Sequence, residues 1–90
     1  MKVDFSKGFN NRLNEIRKKR PRLYKKILTR IRLFELDQDN RLLRLHKLKG
    51  KLDGCWAISA EDDCRLLFYY GGEGAVFFDL GTHGQVYRKK

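Results

Sequence analysis

The sequence predicts an α+β fold with the element order β-α-α-β-β-β, in which an N-terminal helix hairpin packs on one face of a twisted, mainly antiparallel four-stranded sheet. Two stripes of apolar residues with helical spacing come first, and three apolar segments bounded by turn residues follow them. Helices and strands segregated in this way are typical of the α+β class. The chain has 90 residues, so we expect the range 1–90 to form a single domain.

The first strand and the first helix are predicted before Pro21. Val3 and Phe5 alternate with polar residues, which predicts a strand over Met1–Phe5. Ser6 is a suitable N-cap for the helix that follows. The apolar stripe of this helix has helical spacing and consists of Phe5, Phe9, Leu13 and Ile16.

The second helix is predicted to begin at Pro21, because proline is favoured in the first turn of a helix. The short connection between the two helices predicts a hairpin whose stripes share one surface, which should be the sheet. Asp37–Asn40 is a cluster of turn residues that ends this helix. Its apolar stripe repeats the earlier spacing at Leu23, Ile27, Ile31 and Phe34.

Three further strands are predicted after a basic segment. The leucines of Arg41–Lys51 keep no strict period, so we expect a short turn and then an extended entry to the sheet. Cys55–Glu61 and the segment from Cys64 form a predicted β-hairpin. Gly71–Gly74 connects this hairpin to the last strand, Ala75–Leu80. Because the helices can cover only one sheet face, we expect the other face to be concave and solvated.

The charge balance predicts a polyanionic partner. The chain carries 21 Lys and Arg residues against 11 Asp and Glu, a formal net charge of +10. Nucleic acid is favoured over a membrane surface, because no apolar window approaches the ~20 residues of a spanning helix. The N-terminal sequence MKVDFSKGF lacks the apolar core of a signal peptide. We therefore expect a cytoplasmic protein with no membrane partner.

The two cysteines are predicted to be reduced thiols. Cys55 and Cys64 would lie at opposite ends of the hairpin, roughly 20 Å apart by strand rise, whereas bonded cysteines need Cα atoms within ~7 Å. A zinc site would need a close pair of Cys or His ligands, and the spacing of His46, Cys55, Cys64 and His83 supplies none. We expect no metal and no other cofactor.

Several side chains suited to proton transfer and phosphate binding are predicted near strand ends. His46 lies at the entrance to the second strand, and Asp63 and Arg65 lie at the turn of the hairpin. His83 and Tyr87 follow the last strand, and antiparallel pairing can bring His83 beside Arg65. Such a cluster could cleave RNA without metal. One group takes the 2′-hydroxyl proton, another protonates the leaving 5′-oxygen, and Arg65 stabilises the phosphorane charge.

Structural explanations for the same residues remain open. Arg65 could pair with Glu61 or Asp62 in the turn. His46 could be a solvated histidine among lysines. Three neighbouring lysines could bind RNA phosphates or could only keep an edge strand soluble: Lys47, Lys49 and Lys51.

Three motifs in fixed order resemble the RelE/ParE superfamily of toxins from bacterial and archaeal toxin–antitoxin operons. They are HKLKGKLDGCWA at His46–Ala57, DCRLLFY at Asp63–Tyr69 and GTHGQVY at Gly81–Tyr87. The likeness is strongest to the YafQ-type messenger-RNA interferases and covers nearly the whole chain. The β-α-α-β-β-β fold that the resemblance implies agrees with the order derived above from periodicity.

The resemblance implies roles for individual residues. His46 and His83 match histidines used in cleavage, and Asp63 matches a turn aspartate. Tyr87 matches a terminal aromatic that helps to place the RNA, and Arg65 matches the phosphate-stabilising arginine of the wider RelE group. We assign proton transfer to His83, transition-state stabilisation to Arg65 and supporting roles to His46 and Asp63, and the division of acid and base stays open.

The chain departs from the YafQ pattern at two positions. Ser59 stands where YafQ-like toxins tend to have a further histidine, and Gly84 replaces a commoner polar residue. The resemblance still implies a type II toxin that cleaves messenger RNA in the ribosomal A site and binds a cognate acidic antitoxin. Two alternatives remain: a ParE-like inhibitor of DNA gyrase without nuclease activity, and a basic RNA-binding module without catalysis.

Overall fold

Two long helices pack on a five-stranded sheet in the computed structural model of the chain, which describes residues 1–87 but not the side chains of His83 and Tyr87. The Tyr87 and His83 side-chain predictions therefore lie outside the described residues. The helices are α1 (Lys7–Lys19), α2 (Pro21–Leu36) and α3 (His83–Tyr87), and two 3₁₀ turns span Arg41–Leu43 and Gly50–Leu52. The strands are β1 (Lys2–Phe5), β2 (His46–Lys47), β3 (Trp56–Glu61), β4 (Cys64–Gly71) and β5 (Gly74–Gly81).

The predicted α+β architecture is confirmed, but the predicted number of strands is wrong. The sheet has the strand order β1-β5-β4-β3-β2, with β1 parallel to β5 and the other neighbours antiparallel. The additional strand, β2, pairs His46 with Ala57 and Lys47 with Trp56. A two-residue strand is too short to show an alternating pattern, so its segment reads in sequence only as an entry to the sheet.

The helix hairpin covers one sheet face, as predicted. Ser6 caps α1 by accepting a hydrogen bond from the Phe9 backbone N–H at 3.1 Å, and Pro21 occupies the first turn of α2. The buried helix residues are Phe9, Leu13, Leu23, Ile27, Ile31 and Phe34, and they pack on Ile58, Leu66, Phe68, Phe77 and Leu80.

No helix within residues 1–87 combines the length and apolarity needed to cross a membrane.

The opposite sheet face is only partly solvated, which corrects the sequence prediction. Leu48, Ala57, Leu67 and Val86 form a second, smaller buried cluster there. Leu48 comes from the segment after β2 and Val86 from α3, so these two segments cover part of the face that the helix hairpin leaves open. Consecutive apolar residues in β4, Leu66–Phe68, are the sequence signal of a strand buried on both faces.

Both cysteines are free thiols, as predicted, and one of them should couple stability to pH. Burial, and secondarily the charge of Glu61, raises the pKa of Cys64 from 9.0 to about 11. A raised pKa in the folded state means that the neutral thiol contributes stability fully below the unfolded value and loses it as the pH rises through the folded value.

We therefore expect the free energy of unfolding to fall between pH 9 and pH 11 because Cys64 ionises more readily in the unfolded chain. The measurement is urea unfolding across this range for the wild type and for Cys64→Ala. The alanine variant should show a shallower fall, and equal slopes for the two proteins would contradict the assignment.

Candidate functional site

The start of β4 and the end of β5 lie side by side. The Cα of Arg65 pairs with Ser59 on β3 and with Gly81 on β5, two residues before His83. A cavity of about 230 Å³ has both Asp63 and Thr82 in its lining. The structure therefore brings the backbone around Asp63 and Arg65 next to the segment that leads into His83.

The Arg65 guanidinium is held by the turn of its own hairpin. Its Nη1 donates to the backbone oxygens of Asp62 at 2.8 Å and Glu61 at 3.4 Å. The carboxylates of these residues contact other arginines, because Glu61 lies 3.6 Å from Arg20 and Asp62 lies 3.9 Å from Arg44. The turn thus orients the Arg65 side chain through neutral backbone carbonyls. The carboxylates of Glu61 and Asp62 do not neutralise its charge, because they contact Arg20 and Arg44 instead.

His46 belongs to the edge strand β2 and lies on the same sheet face as Arg65. Its Cα pairs with Ala57, whose side chain belongs to the buried cluster of that face, and paired residues point to the same face. Arg65 precedes Leu67 by two residues on β4 and shares its face. Sheet spacings place the Cα atoms of His46 and Arg65 about 12 Å apart. Nδ1 of His46 lies 2.9 Å from the backbone oxygen of Arg44.

The three lysines proposed to bind RNA do not form one stripe. Lys47 pairs with Trp56, whose indole packs on the helix-side core, so Lys47 lies on the face opposite to His46. Lys49 and Lys51 are exposed in and before the 3₁₀ turn that follows β2. Of these three lysines, Lys47 therefore does not lie on the sheet face that carries Arg65.

A capping box that the sequence analysis missed places the backbone of His83 in α3. The Gln85 N–H donates to Oγ1 of Thr82 at 3.1 Å, and the Thr82 N–H donates to Oε1 of Gln85 at 2.9 Å. Oε1 of Gln85 also lies 3.4 Å from Nη2 of Arg12 on α1. The T-x-x-Q spacing predicts a helix start, and it was the available signal for α3.

Gly81→Ala should disturb this arrangement. The added Cβ would lie 2.6 Å from Oε1 of Gln85 and 2.9 Å from Nη2 of Arg12, at a φ of +153° that favours glycine. We expect the free energy of unfolding to fall by about 1–3 kcal/mol. The measurement is urea unfolding, and the matched control is Gly84→Ala, whose Cβ would approach nothing nearer than 4.0 Å. An equal loss in both variants would contradict the account.

Ser59 carries a buried hydroxyl on this sheet face. Ser59 is 4% exposed and pairs with Arg65, and its Oγ makes no hydrogen bond within the described residues. Within residues 1–87, no group of three or more His, Cys, Asp or Glu side chains is arranged to hold a metal ion.

A separate basic groove runs along the helix hairpin, with a volume of about 980 Å³. Its lining contains one carboxylate, Glu61, which already contacts Arg20. Leu42 adds an apolar side chain that is 62% exposed. The groove thus combines positive charge with accessible apolar surface. Its basic residues are Lys19, Arg20, Arg22, Lys25, Lys26 and Arg30, and its other leucines are Leu23 and Leu33.

Solved structures of bacterial toxins share this fold. A YoeB/ParE toxin from Agrobacterium tumefaciens superposes with a TM-score of 0.78 at 20% identity, over 92% of this chain and 99% of that chain. YafQ in a DinJ–YafQ toxin–antitoxin complex from Escherichia coli gives 0.76 at 18% identity, over 96% of each chain. A YoeB–YefM complex from Staphylococcus aureus gives 0.71 at 17% identity, over 92% and 97%.

These similarities cover at least 92% of the chain and establish its fold. Sequence comparison adds nothing to them, because no protein-family profile matches the chain. No curated protein matches it either.

Proposed function

We propose that this chain, which has the RelE/ParE-type toxin fold, is the toxin of a type II toxin–antitoxin pair and a ribosome-dependent endoribonuclease that cleaves translated messenger RNA. The range 1–90 would be its single domain. The observation that carries the proposal is the pairing of Arg65 with Gly81, which sets the start of the GTH motif beside the arginine. His46 lies on the same sheet face as Arg65.

The proposed reaction needs no metal. The 2′-hydroxyl oxygen attacks the adjacent phosphorus while a histidine takes its proton, and a second group protonates the leaving 5′-oxygen. Arg65 donates hydrogen bonds to the phosphorane oxygens, on which negative charge increases in the transition state. His83 transfers a proton, Asp63 supports the cluster and Tyr87 helps to place the RNA.

The ribosome would supply the register of the RNA. A domain of this size offers little surface for a long RNA, so positioning in the ribosomal A site contributes the orientation that the chain lacks. Lys49 and Lys51, and Lys47 from the other face, would bind phosphates of messenger or ribosomal RNA and make association salt-dependent. Cleavage of free RNA should accordingly be much slower, and the protein would act in the cytoplasm.

The proposed protein partner is a cognate acidic antitoxin. Toxins of this fold have been solved in complexes named DinJ–YafQ and YoeB–YefM. The basic groove of the helix hairpin and exposed Leu28 offer charge and apolar area for an acidic amphipathic segment.

Primer extension on a messenger after induction of the chain in cells tests the proposal. Wild-type protein should produce cuts within translated regions, and His83→Ala at equal expression should not. Purified protein should cut messenger on ribosomes and leave the naked messenger largely intact. Equal cleavage of both would contradict ribosome dependence. Intact messenger with accumulating cleaved gyrase–DNA complexes would instead establish the ParE-like alternative. A wild-type protein that binds RNA without cutting it, and whose function is undiminished by His83→Ala, would establish the non-catalytic module.

A further inference from the structure

We propose that Arg44 is a positioning residue whose backbone holds His46 with a proton on Nδ1, so that Nε2 is the base for the RNA 2′-hydroxyl. This inference rests on the proposed function and assigns the acid and base roles that the sequence left open.

The backbone of Arg44 adopts a conformation that L-residues rarely take. Its φ and ψ are 51° and 44°, in the left-handed region, and it is the one non-glycine residue with positive φ within residues 1–87. In this region the Cβ atom of any residue other than glycine lies too close to the following carbonyl oxygen. Such a conformation persists only where the surrounding structure enforces it, and it is frequent at functional sites.

Three contacts enforce it from the preceding 3₁₀ turn. The Asn40 side chain accepts a hydrogen bond from the Leu42 N–H at 3.0 Å, which starts the turn. Nη1 of Arg30 on α2 donates to the backbone oxygen of Leu42 at 2.6 Å. Leu43 is fully buried in the core. The turn is therefore fixed to α2 and to the core before the chain reaches Arg44.

The left-handed conformation directs the Arg44 carbonyl at the imidazole of His46. The distance from this oxygen to Nδ1 is 2.9 Å. A carbonyl oxygen can only accept a hydrogen bond, so Nδ1 must carry the proton. In the neutral ring, Nε2 then has the lone pair and is the nitrogen that can take a proton. Pairing of His46 with Ala57 keeps the ring on the face that carries Arg65.

The Arg44 side chain does not account for the strained backbone. Its guanidinium lies 3.9 Å from the Asp62 carboxylate, and the two side chains are 64% and 99% exposed. Ion pairs this exposed contribute little to stability. A left-handed residue also ends many helices, but that role alone would not require its carbonyl to meet a catalytic ring.

His46 and His83 account for both proton transfers of the proposed cleavage. The 2′-hydroxyl proton moves to Nε2 of His46, the O2′–P bond forms, and the P–O5′ bond breaks. The leaving O5′ takes a proton from His83. The products are a 2′,3′-cyclic phosphate and a 5′-hydroxyl, with His46 protonated and His83 deprotonated. Proton return through water resets both rings.

Two substitutions separate the backbone of Arg44 from its side chain. Arg44→Val places a β-branched residue where positive φ is strongly disfavoured, whereas Arg44→Gly adopts the same conformation freely and keeps the carbonyl. Arg41→Val makes the same chemical change at an exposed position of the same turn and is the matched control.

The first readout is the pair of ¹⁵N chemical shifts of His46, measured at a pH of about 8.5, where an ordinary histidine is neutral. Wild type, Arg44→Gly and Arg41→Val should show the proton on Nδ1, and Arg44→Val should show a mixture of tautomers. The second readout is single-turnover cleavage on messenger-loaded ribosomes. Arg44→Val should lose at least about tenfold in the rate of the chemical step at saturating protein, and Arg44→Gly should recover most of that loss.

The outcomes separate this inference from the proposed function. A wild-type protein that cuts messenger but carries the proton on Nε2 of His46 would overturn the inference and leave the proposed function standing. Equal cleavage rates for Arg44→Val and Arg44→Gly would also overturn it. Intact messenger with the wild type would refute the proposed function itself, whatever the tautomer. Thermal unfolding of each variant shows whether a lost rate reflects a lost fold.

Discussion

Arg65→Ala is expected to slow messenger cleavage on ribosomes by about 100- to 1,000-fold while leaving ribosome association nearly unchanged. The guanidinium is oriented by the carbonyls of Glu61 and Asp62 and is therefore held ready for the charge of the phosphorane. Because this charge develops only in the transition state, its loss should lower the rate of the chemical step more than binding. His83→Ala should have a comparable effect, since it removes a proton-transfer group.

The measurement is single-turnover cleavage together with ribosome co-sedimentation, and growth arrest in cells is the second readout. Arg32→Ala removes the same charge from an exposed position on α2 and should keep both properties. If Arg65→Ala cleaves at the wild-type rate, or if His83→Ala still arrests growth at equal expression, the proposed roles of these residues are wrong.

Reversing the charge of Arg22, Lys25 and Lys26 to glutamate should weaken binding of the acidic antitoxin at least about a hundredfold and abolish its rescue of growth. These residues line the basic groove beside its leucines. Like charges opposed across an interface cost several kcal/mol, and opposite charges also accelerate association. Folding of a disordered segment on the groove would add buried apolar area from Leu42.

Binding can be measured by titration of the purified toxin with the product of the neighbouring small acidic reading frame. The matched control reverses three exposed basic residues outside the groove lining, Lys7, Arg17 and Arg32. An equal loss of antitoxin affinity in both triple variants would show that the net charge of the chain, and not the groove, determines binding. If the wild-type chain neither arrests growth nor binds that product, the toxin interpretation has no support.

The helices were predictable because their signal is local. Ile27 and Phe34 recur with the helical period, and both are fully buried against the sheet. The capping Ser6 and the helix-starting Pro21 also act within one turn of their own position. Packing on the sheet agrees with each of these local preferences, so nothing overrides them.

The candidate site was predictable only where strand pairing follows from strand order. Consecutive antiparallel strands return to the same edge, so the proximity of Arg65 to Gly81 follows from the meander. The helix α3 was missed because its five residues are too few to show a period, although Thr82 and Gln85 mark its start. The face of Lys47 depends on a register with Trp56 that no local pattern specifies.

The sequence by itself determined the fold class, the two long helices and the arginine position at the hairpin turn, since these depend on periodicity and turn residues. Tertiary structure alone decided that Leu67 and Val86 form a second buried cluster, because they are far apart in sequence and meet only when α3 folds back over the sheet. It also decided the left-handed backbone of Arg44. That conformation is unfavourable in isolation, and contacts from α2 and the core maintain it.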